Sequence, residues 1–212
     1  MGRAAAITAI AVAAVAAVVG LLAFTQFGAV LTATETDCPG DGCVDIAWEL
    51  QWSLFGQSSE REQAQPEPAS ERVTRTWATL EDDGGKGAAA GRLAGTLAIA
   101  AVVAAGVGAA LAATGMFLHR VPGIVGGAII LVGAVLALAA MAQGWSAAGD
   151  AGDAFVQELE ARNAPDALNR DWAYDGPTWM AGGAFTLLAV AATLALVAGV
   201  IGVLPATYRK DV

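Results

Sequence analysis

Four long, almost uncharged apolar blocks constrain the fold of this chain more than any other feature. They run from about residue 4 to 33, 88 to 118, 121 to 144 and 178 to 204. A helix needs about 20 apolar residues to cross some 30 Å of hydrocarbon, and each block is long enough. Hydrophobic residues make up 56% of the chain and charged residues only 15%. The sequence therefore predicts a helical membrane protein, a four-transmembrane-helix bundle, rather than a soluble domain.

The first block also has features of a secretory signal peptide, because Arg3 supplies a positive start. The apolar core of such a signal is typically about 7–15 residues long, and a cleavage site with small residues follows it. This block is longer, and no clear site of that kind follows. We therefore predict that residues 1–34 form a retained transmembrane helix.

The remaining blocks divide the rest of the chain into membrane spans and loops. The predicted spans are 88–118, 121–144 and 178–204, with long loops at 35–87 and 145–177 and a short tail at 205–212.

Basic residues near the helix ends predict the orientation. Arg3, Arg120, Arg209 and Lys210 lie in very short connections or tails, whereas the two long loops hold twelve acidic against four basic and seven acidic against two basic residues. Because cytoplasmic segments carry the excess of Lys and Arg, both termini are predicted to be cytoplasmic. The long loops are then extracellular parts of a multi-pass cell-membrane protein.

Alternation in the first long loop predicts a small β-rich module. From Val44 to Leu54 every second residue is apolar or aromatic, the period of a β-strand. Residues 72–80 are rich in Thr, Val and Trp and predict a second strand that pairs with the first. The polar stretch 56–70 between them has the composition of a solvated, mobile loop. The aromatic face is expected to pack on the bundle or on the other loop, with Trp48, Trp52 and Trp77 as a candidate interaction surface.

The second long loop predicts a short amphipathic helix over Asp153–Arg162. Phe155, Val156 and Leu159 share one of its faces, and Asn163, Ala164 and Pro165 follow it. Such a helix lies either on the membrane surface or over the sheet. Its polar face is acidic, whereas helices on membrane surfaces favour Lys and Arg, so a position over the sheet is preferred.

Cys38 and Cys43 flank a Pro/Gly turn and are the only cysteines. In an oxidising compartment they are expected to form a disulfide, with free thiols and a metal site as alternatives. The metal alternative is weaker because zinc normally has four ligands.

Acidic clusters lie near this turn and at residues 81–83. They lack the spacing of an EF-hand loop, so a solvated acidic surface is preferred over calcium binding. No cofactor and no metal are predicted.

The middle of every predicted span lacks Asp, Glu, Lys and His. Pumps, proton-coupled transporters and intramembrane enzymes place such groups within the membrane, so we predict that the chain is not an enzyme. The net charge of −9 argues against nucleic-acid binding, which needs a basic surface.

Glycines recur at helical spacing within the spans. Their positions are Gly91 and Gly95, Gly123 and Gly127, and Gly199 and Gly202. Small residues let helix backbones approach in lipid. The spacing predicts packing within the bundle, or alternatively a face that docks a partner or a second copy.

The predicted architecture resembles the claudin and peripheral-myelin-protein-like superfamily. The shared features are four spans, cytoplasmic termini, a long first outer loop with strands, tryptophans and two cysteines, and a shorter second outer loop. In that family a Trp and a Gly-Leu-Trp segment precede the two cysteines, whereas here Trp48 and Trp52 follow Cys38 and Cys43. The resemblance implies an adhesion, barrier or auxiliary-subunit role through the extracellular sheet.

Three functions are consistent with these features. The first is a non-enzymatic membrane protein that presents an extracellular interaction module for adhesion, scaffolding or self-association. The second is an accessory subunit of a larger membrane enzyme or transporter, and the third is a channel or carrier for neutral solutes. The expected partners are the lipid bilayer and either a second copy or another membrane protein.

Overall fold

The structure is a computed structural model that describes residues 2–37, 44–63, 69–117, 120–162 and 173–207. Within these residues four helices are long and apolar enough to cross a membrane. They are α1 (Gly2–Ala23), α3 (Ala88–Phe117), α4 (Arg120–Arg162) and α5 (Gly183–Thr207). The number of membrane-competent helices therefore agrees with the four apolar blocks of the sequence.

The four helices pack as a closed ring in the order α1, α3, α4 and α5. Alanines dominate the contacts inside this ring, among them Ala13, Ala134 and Ala198, each 0% exposed. Because alanine side chains are short, the backbones approach closely and gain dispersion contacts along their length. The larger apolar side chains, such as Val103 and Val135, point outward instead.

The other major unit is a five-stranded antiparallel sheet in the order β4-β3-β2-β1-β5. Its strands are β1 (Ala29–Asp37), β2 (Val44–Trp52), β3 (Gly56–Gln63), β4 (Ala69–Thr76) and β5 (Ala173–Ala181). The chain enters β1 from α1 and passes from β4 into α2 and from β5 into α5. The start of β1 and the ends of β4 and β5 therefore lie next to the helices.

The predicted end of the first helix is wrong. α1 ends at Ala23, and the apolar residues that follow a short turn form β1, in which Leu31, Ala33 and Glu35 face inward. An uncharged apolar run is compatible with either a helix or a half-buried strand, so its length alone did not locate the boundary. Gly28 occupies the turn, and its N–H donates to the carbonyl of Trp52 at 2.6 Å.

The alternation predicted for Val44–Leu54 is present in β2, where Ile46, Leu50 and Trp52 are buried. The predicted partner strand is wrong, because β3 lies between β2 and β4. β3 occupies most of the stretch that has the composition of a mobile loop. Its polar residues suit a strand near the sheet edge, where pairing on both sides stabilises a segment that buries little apolar area.

The second predicted strand also ends earlier than expected. β4 stops at Thr76, and a short helix, α2 (Trp77–Asp82), follows at once. The Thr76 hydroxyl accepts from the N–H of Thr79 at 3.2 Å, which caps the new helix. The Thr/Val/Trp composition indicated a strand throughout and did not reveal this cap.

α4 is much longer than the predicted third span. Its 43 residues extend about 64 Å, roughly twice the thickness of the hydrocarbon core. The amphipathic helix predicted near Asp153 is the far end of α4 and not a separate element, because helical residues continue through the expected break at residue 144. It does cover the sheet: Leu159 is 1% exposed, and the rings of Phe155 and Trp48 lie 5.6 Å apart.

The second loop also contributes a strand. β5 pairs with β1, so the sheet is not formed by the first loop alone. The fourth helix begins at Gly183 rather than at residue 178, because Ala173–Ala181 is a strand. Gly182 separates the two elements, and its N–H donates to the carbonyl of Gly28 at 2.9 Å, which ties the start of α5 to the start of β1.

Candidate functional site

The inner face of the sheet and the far half of α4 share one hydrophobic core. Its members include Leu31, Leu50, Trp52 and Leu159, each no more than 1% exposed. The same cluster continues to Phe185 on α5 and Ala98 on α3. The sheet is therefore fixed directly to the helices rather than carried on a flexible stalk.

Two of the three tryptophans predicted as an interaction surface are core residues, which corrects that prediction. Trp52 is 0% exposed and stacks on Trp179 at 5.3 Å, and Trp77 is 3% exposed. The Trp77 indole donates to the carbonyl of Ser53 at 3.1 Å. Trp48 is half-buried against Phe155. The aromatic face was also expected to pack on the bundle or on the other loop, and the contacts of Trp48 with Phe155 and of Trp52 with Trp179 agree with that expectation.

The predicted glycines divide into two groups by what they contact. A side chain at Gly127 would lie 2.9 Å from Val203 and 3.3 Å from the Gly202 backbone, and one at Gly199 would overlap Leu131. These three glycines therefore allow α4 and α5 to approach within the bundle, as predicted.

The other three predicted glycines do not lie between two of the four long helices. A side chain at Gly91 would overlap the ring of Trp77, and one at Gly95 would overlap the carbonyl of Leu54, so these two positions admit α2 and the turn between β2 and β3. Gly123 has open space around it. Spacing alone indicated close approach but not which element approaches.

A polar cluster on the inner face was not predicted from the sequence. Glu35 is 2% exposed, and its carboxylate accepts from the Trp48 indole at 3.0 Å. The Arg61 guanidinium lies 5.5 Å from the centre of the same ring, within cation–π range. The period-two pattern of β1 would have placed Glu35 on this face had β1 been recognised as a strand.

This cluster does not form a recognisable catalytic site. It contains one carboxylate, one indole and one guanidinium, and among the described residues there is no group of three or more side chains that could hold a metal ion. General acid–base or nucleophilic chemistry needs a paired nucleophile and base within hydrogen-bond reach, and these three residues do not supply one. A structural role under the sheet fits their contacts best.

The outer face of the sheet is open and polar. Arg72 donates to the Ser58 hydroxyl at 3.0 Å and lies 3.9 Å from the Glu60 carboxylate. Toward the end of the sheet away from the helices lies a shallow depression of about 410 Å³, lined by Thr34, Asp45, Ala47, Glu62, Gln63, Ala69 and Ser70. Antiparallel sheets commonly have one packed and one solvated face, and this sheet follows that rule.

The edge strand β4 is exposed along all eight of its residues. The N–H of Trp77 donates to the carbonyl of Phe55 at 3.1 Å, which continues the β3–β4 register. Because hydrogen-bonded pairs alternate in an antiparallel ladder, the odd-numbered residues of β4 bond to β3. The backbone groups of Ser70, Arg72 and Thr74 consequently point away from the sheet, and no other strand of the described residues pairs with them.

Aromatic side chains mark the level at which the sheet meets the helices. Phe24 stacks on Phe55 at 5.3 Å, and Trp145 packs against Phe185 at 5.2 Å. Phe55 is 49% exposed, and Trp145 and Trp179 are each 39% exposed. Amphipathic rings favour the membrane–water interface, so this level is the expected boundary of the bilayer.

Several residues on which predictions rest lie outside the described residues, namely Cys38, Cys43, Arg209 and Lys210. Their contacts therefore remain predictions from the sequence. Comparison with known protein families gives no match to this chain, and comparison with curated proteins gives none either.

Proposed function

We propose that this chain is a non-enzymatic integral membrane protein that presents its sheet as an interaction module on the extracellular side. The observation that carries the proposal is a sheet with an open polar face and a fully exposed edge strand, fixed by a continuous core to a bundle of uncharged helices. The fixed core holds the exposed strand in a defined position above the membrane.

The helix bundle supports a structural rather than a transport role. Its packed centre leaves a space of only about 10 Å³, lined by alanine, glycine, valine and leucine. Such a volume holds at most about one water molecule, and an apolar lining offers it no hydrogen bonds. Within the described residues the bundle therefore has little room for the solute of a channel or carrier.

The orientation of the module is part of this proposal. We infer that both termini are cytoplasmic and that the sheet is extracellular, since Arg3, Arg120, Arg209 and Lys210 lie in very short connections or tails of the sequence, whereas the long loops are strongly acidic. Cysteines introduced by Gly2→Cys and Glu62→Cys test it in intact cells, with Cys38 and Cys43 replaced by serine. An impermeant thiol reagent should label position 62 and spare position 2, and the reverse pattern would overturn the orientation.

The claudin and peripheral-myelin-protein-like resemblance supports the same kind of role. It implies adhesion, a barrier function or service as an auxiliary subunit through the extracellular sheet. We propose that adhesion or self-association is the main role, because an exposed strand edge is a direct means of pairing with another chain.

Isolation from native membranes in a mild detergent tests the proposed function. A second copy or another membrane protein should accompany the chain. A larger enzyme or transporter as the partner would indicate the accessory-subunit alternative. A strictly monomeric protein without a partner, both in detergent and in vesicles, would contradict the proposal.

A further inference from the structure

We infer that β4 pairs edge to edge with β4 of a second copy, in one specific antiparallel register centred on Val73. This inference rests on the proposed function and names the partner and the contact. The exposed edge offers the backbone groups of Ser70, Arg72 and Thr74, all on even-numbered positions. Two β4 strands related by a two-fold axis must therefore pair even-numbered residues with even-numbered residues. Only a few registers meet this condition.

Only two of these registers pair seven of the eight residues of the strand. A pair centred on Arg72 places that arginine opposite its own copy, which brings like charges together. A pair centred on Val73 places Glu71 opposite Arg75 of the second copy, and this happens twice by symmetry. Opposite charges across a strand pair are favourable and like charges are unfavourable, so the register centred on Val73 is selected.

This register also satisfies the free backbone groups. Arg72 faces Thr74 of the second copy in two symmetric positions, and each position exchanges two hydrogen bonds. Val73 meets Val73 of the second copy at a non-hydrogen-bonded position, where side chains approach most closely. Val73 is 37% exposed in a single chain, so the pairing covers an apolar side chain as well.

The charged side chains of β4 can form these ion pairs with the second copy. Arg75 lies 3.6 Å from Asp83, but both side chains are more than half exposed. Exposed ion pairs of this kind contribute little and re-form easily with another partner. Charged residues on an edge strand usually oppose pairing with other chains. In this register, however, they complement the same strand of a second copy, so they select the partner.

The antiparallel direction determines where the two bundles lie. β4 runs from Ala69, away from the helices, to Thr76, next to α2 and α3. The partner strand runs the opposite way, so the two helix bundles lie at opposite ends of the joined sheet. This arrangement fits two copies that meet from facing membranes, and the module would then join those membranes.

Single cysteines test the register directly. Val73→Cys, Arg72→Cys and Thr74→Cys are made separately in chains that carry Cys38→Ser and Cys43→Ser. After mild oxidation, Val73→Cys should give a disulfide-linked dimer in about tenfold greater yield than either neighbour, because only position 73 faces itself across a Cβ separation of about 5 Å. Mixed Arg72→Cys and Thr74→Cys chains should link to each other. Equal linking of every variant with itself, or none for Val73→Cys, would overturn the register.

Substitutions at Thr74 test this inference independently of the proposed function. They are made in chains that keep their native cysteines. Thr74→Pro removes an outward N–H but leaves the bonds to β3 in place, whereas the control Thr74→Val keeps that N–H. Energy transfer between labelled copies, and between two populations of proteoliposomes, measures self-association. The proline variant should associate about thirtyfold more weakly, since two symmetric hydrogen bonds are lost, and the valine variant should resemble the native chain.

The outcomes of the two tests are distinct. If the native chain self-associates and the proline variant does so equally well, the edge pairing is wrong and the proposed function stands. If the native chain neither self-associates nor retains a membrane partner, the proposed function fails and the edge pairing fails with it. Tryptophan fluorescence of each variant checks that the sheet is folded, and the cysteine experiment decides the register if Thr74→Pro does not fold.

Discussion

Replacing Leu159 with alanine should loosen the sheet while leaving the membrane helices intact. Leu159 lies near the end of α4, far from the predicted bilayer, and it is 1% exposed. It belongs to the core that also contains Leu31 of β1 and Leu50 of β2. The substitution removes three carbon atoms from this shared core but leaves the bundle below it unchanged.

The expected magnitude follows from burial. A leucine-to-alanine change at a fully buried position costs about 2–5 kcal/mol, because the transfer free energy is lost and a cavity remains. Taking about 3 kcal/mol, the equilibrium for local opening of the sheet should rise roughly 150-fold. The adjacent Glu160 is exposed, so Glu160→Ala should change it by less than about threefold.

Hydrogen exchange of the reconstituted protein measures this effect segment by segment. Protected amides of β1 and β2 should exchange roughly 150-fold faster in the Leu159→Ala protein, because local openings limit their exchange. Amides of α5 within the membrane should exchange at their original rate. Unchanged exchange in the strands would refute a core shared with α4, and equal acceleration in α5 would show that the bundle does not stay intact.

Two further substitutions test other contacts. Gly127→Val should lower the temperature at which the purified protein unfolds, because the added side chain would force α4 and α5 apart, whereas Gly123→Val, with open space around it, should have little effect. Glu35→Ala should destabilise the sheet by about 1–3 kcal/mol, because it leaves the Trp48 indole without its acceptor, and Glu35→Gln should lose less since its amide oxygen can still accept. Chemical unfolding followed by tryptophan fluorescence compares these two variants, and equal losses would mean that the hydrogen bond is not what matters.

The sequence identified the elements whose signals are local. A membrane helix is recognised from its own apolar length, which is why all four blocks correspond to long helices. β2 was recognised because large apolar side chains such as Leu50 and Trp52 alternate with polar ones within a single segment. Neither signal needs information about the rest of the chain.

Elements that depend on distant partners were missed. β3 is polar on both faces, and it is a strand because β2 and β4 flank it. β1 is apolar enough to continue a membrane helix, and only its pairing with β2 and β5 makes it a strand. The burial of Trp52 likewise depends on Trp179 of β5, which lies far along the chain, and that of Trp77 depends on close approach to Gly91 of α3. Composition and periodicity describe a segment, whereas these outcomes depend on what packs against it.

The short connections explain why the exposed edge has a fixed direction. Five residues separate α1 from β1, β5 is joined to α5 through Gly182 alone, and α4 continues without a break from the bundle to the sheet. Long linkers would let the sheet turn freely, and an edge pair would then constrain the distance between two bundles only loosely. With these connections, a strand bound at β4 would hold both bundles at a defined separation and angle. A pairing site on this edge is therefore suited to setting a constant spacing between two membranes.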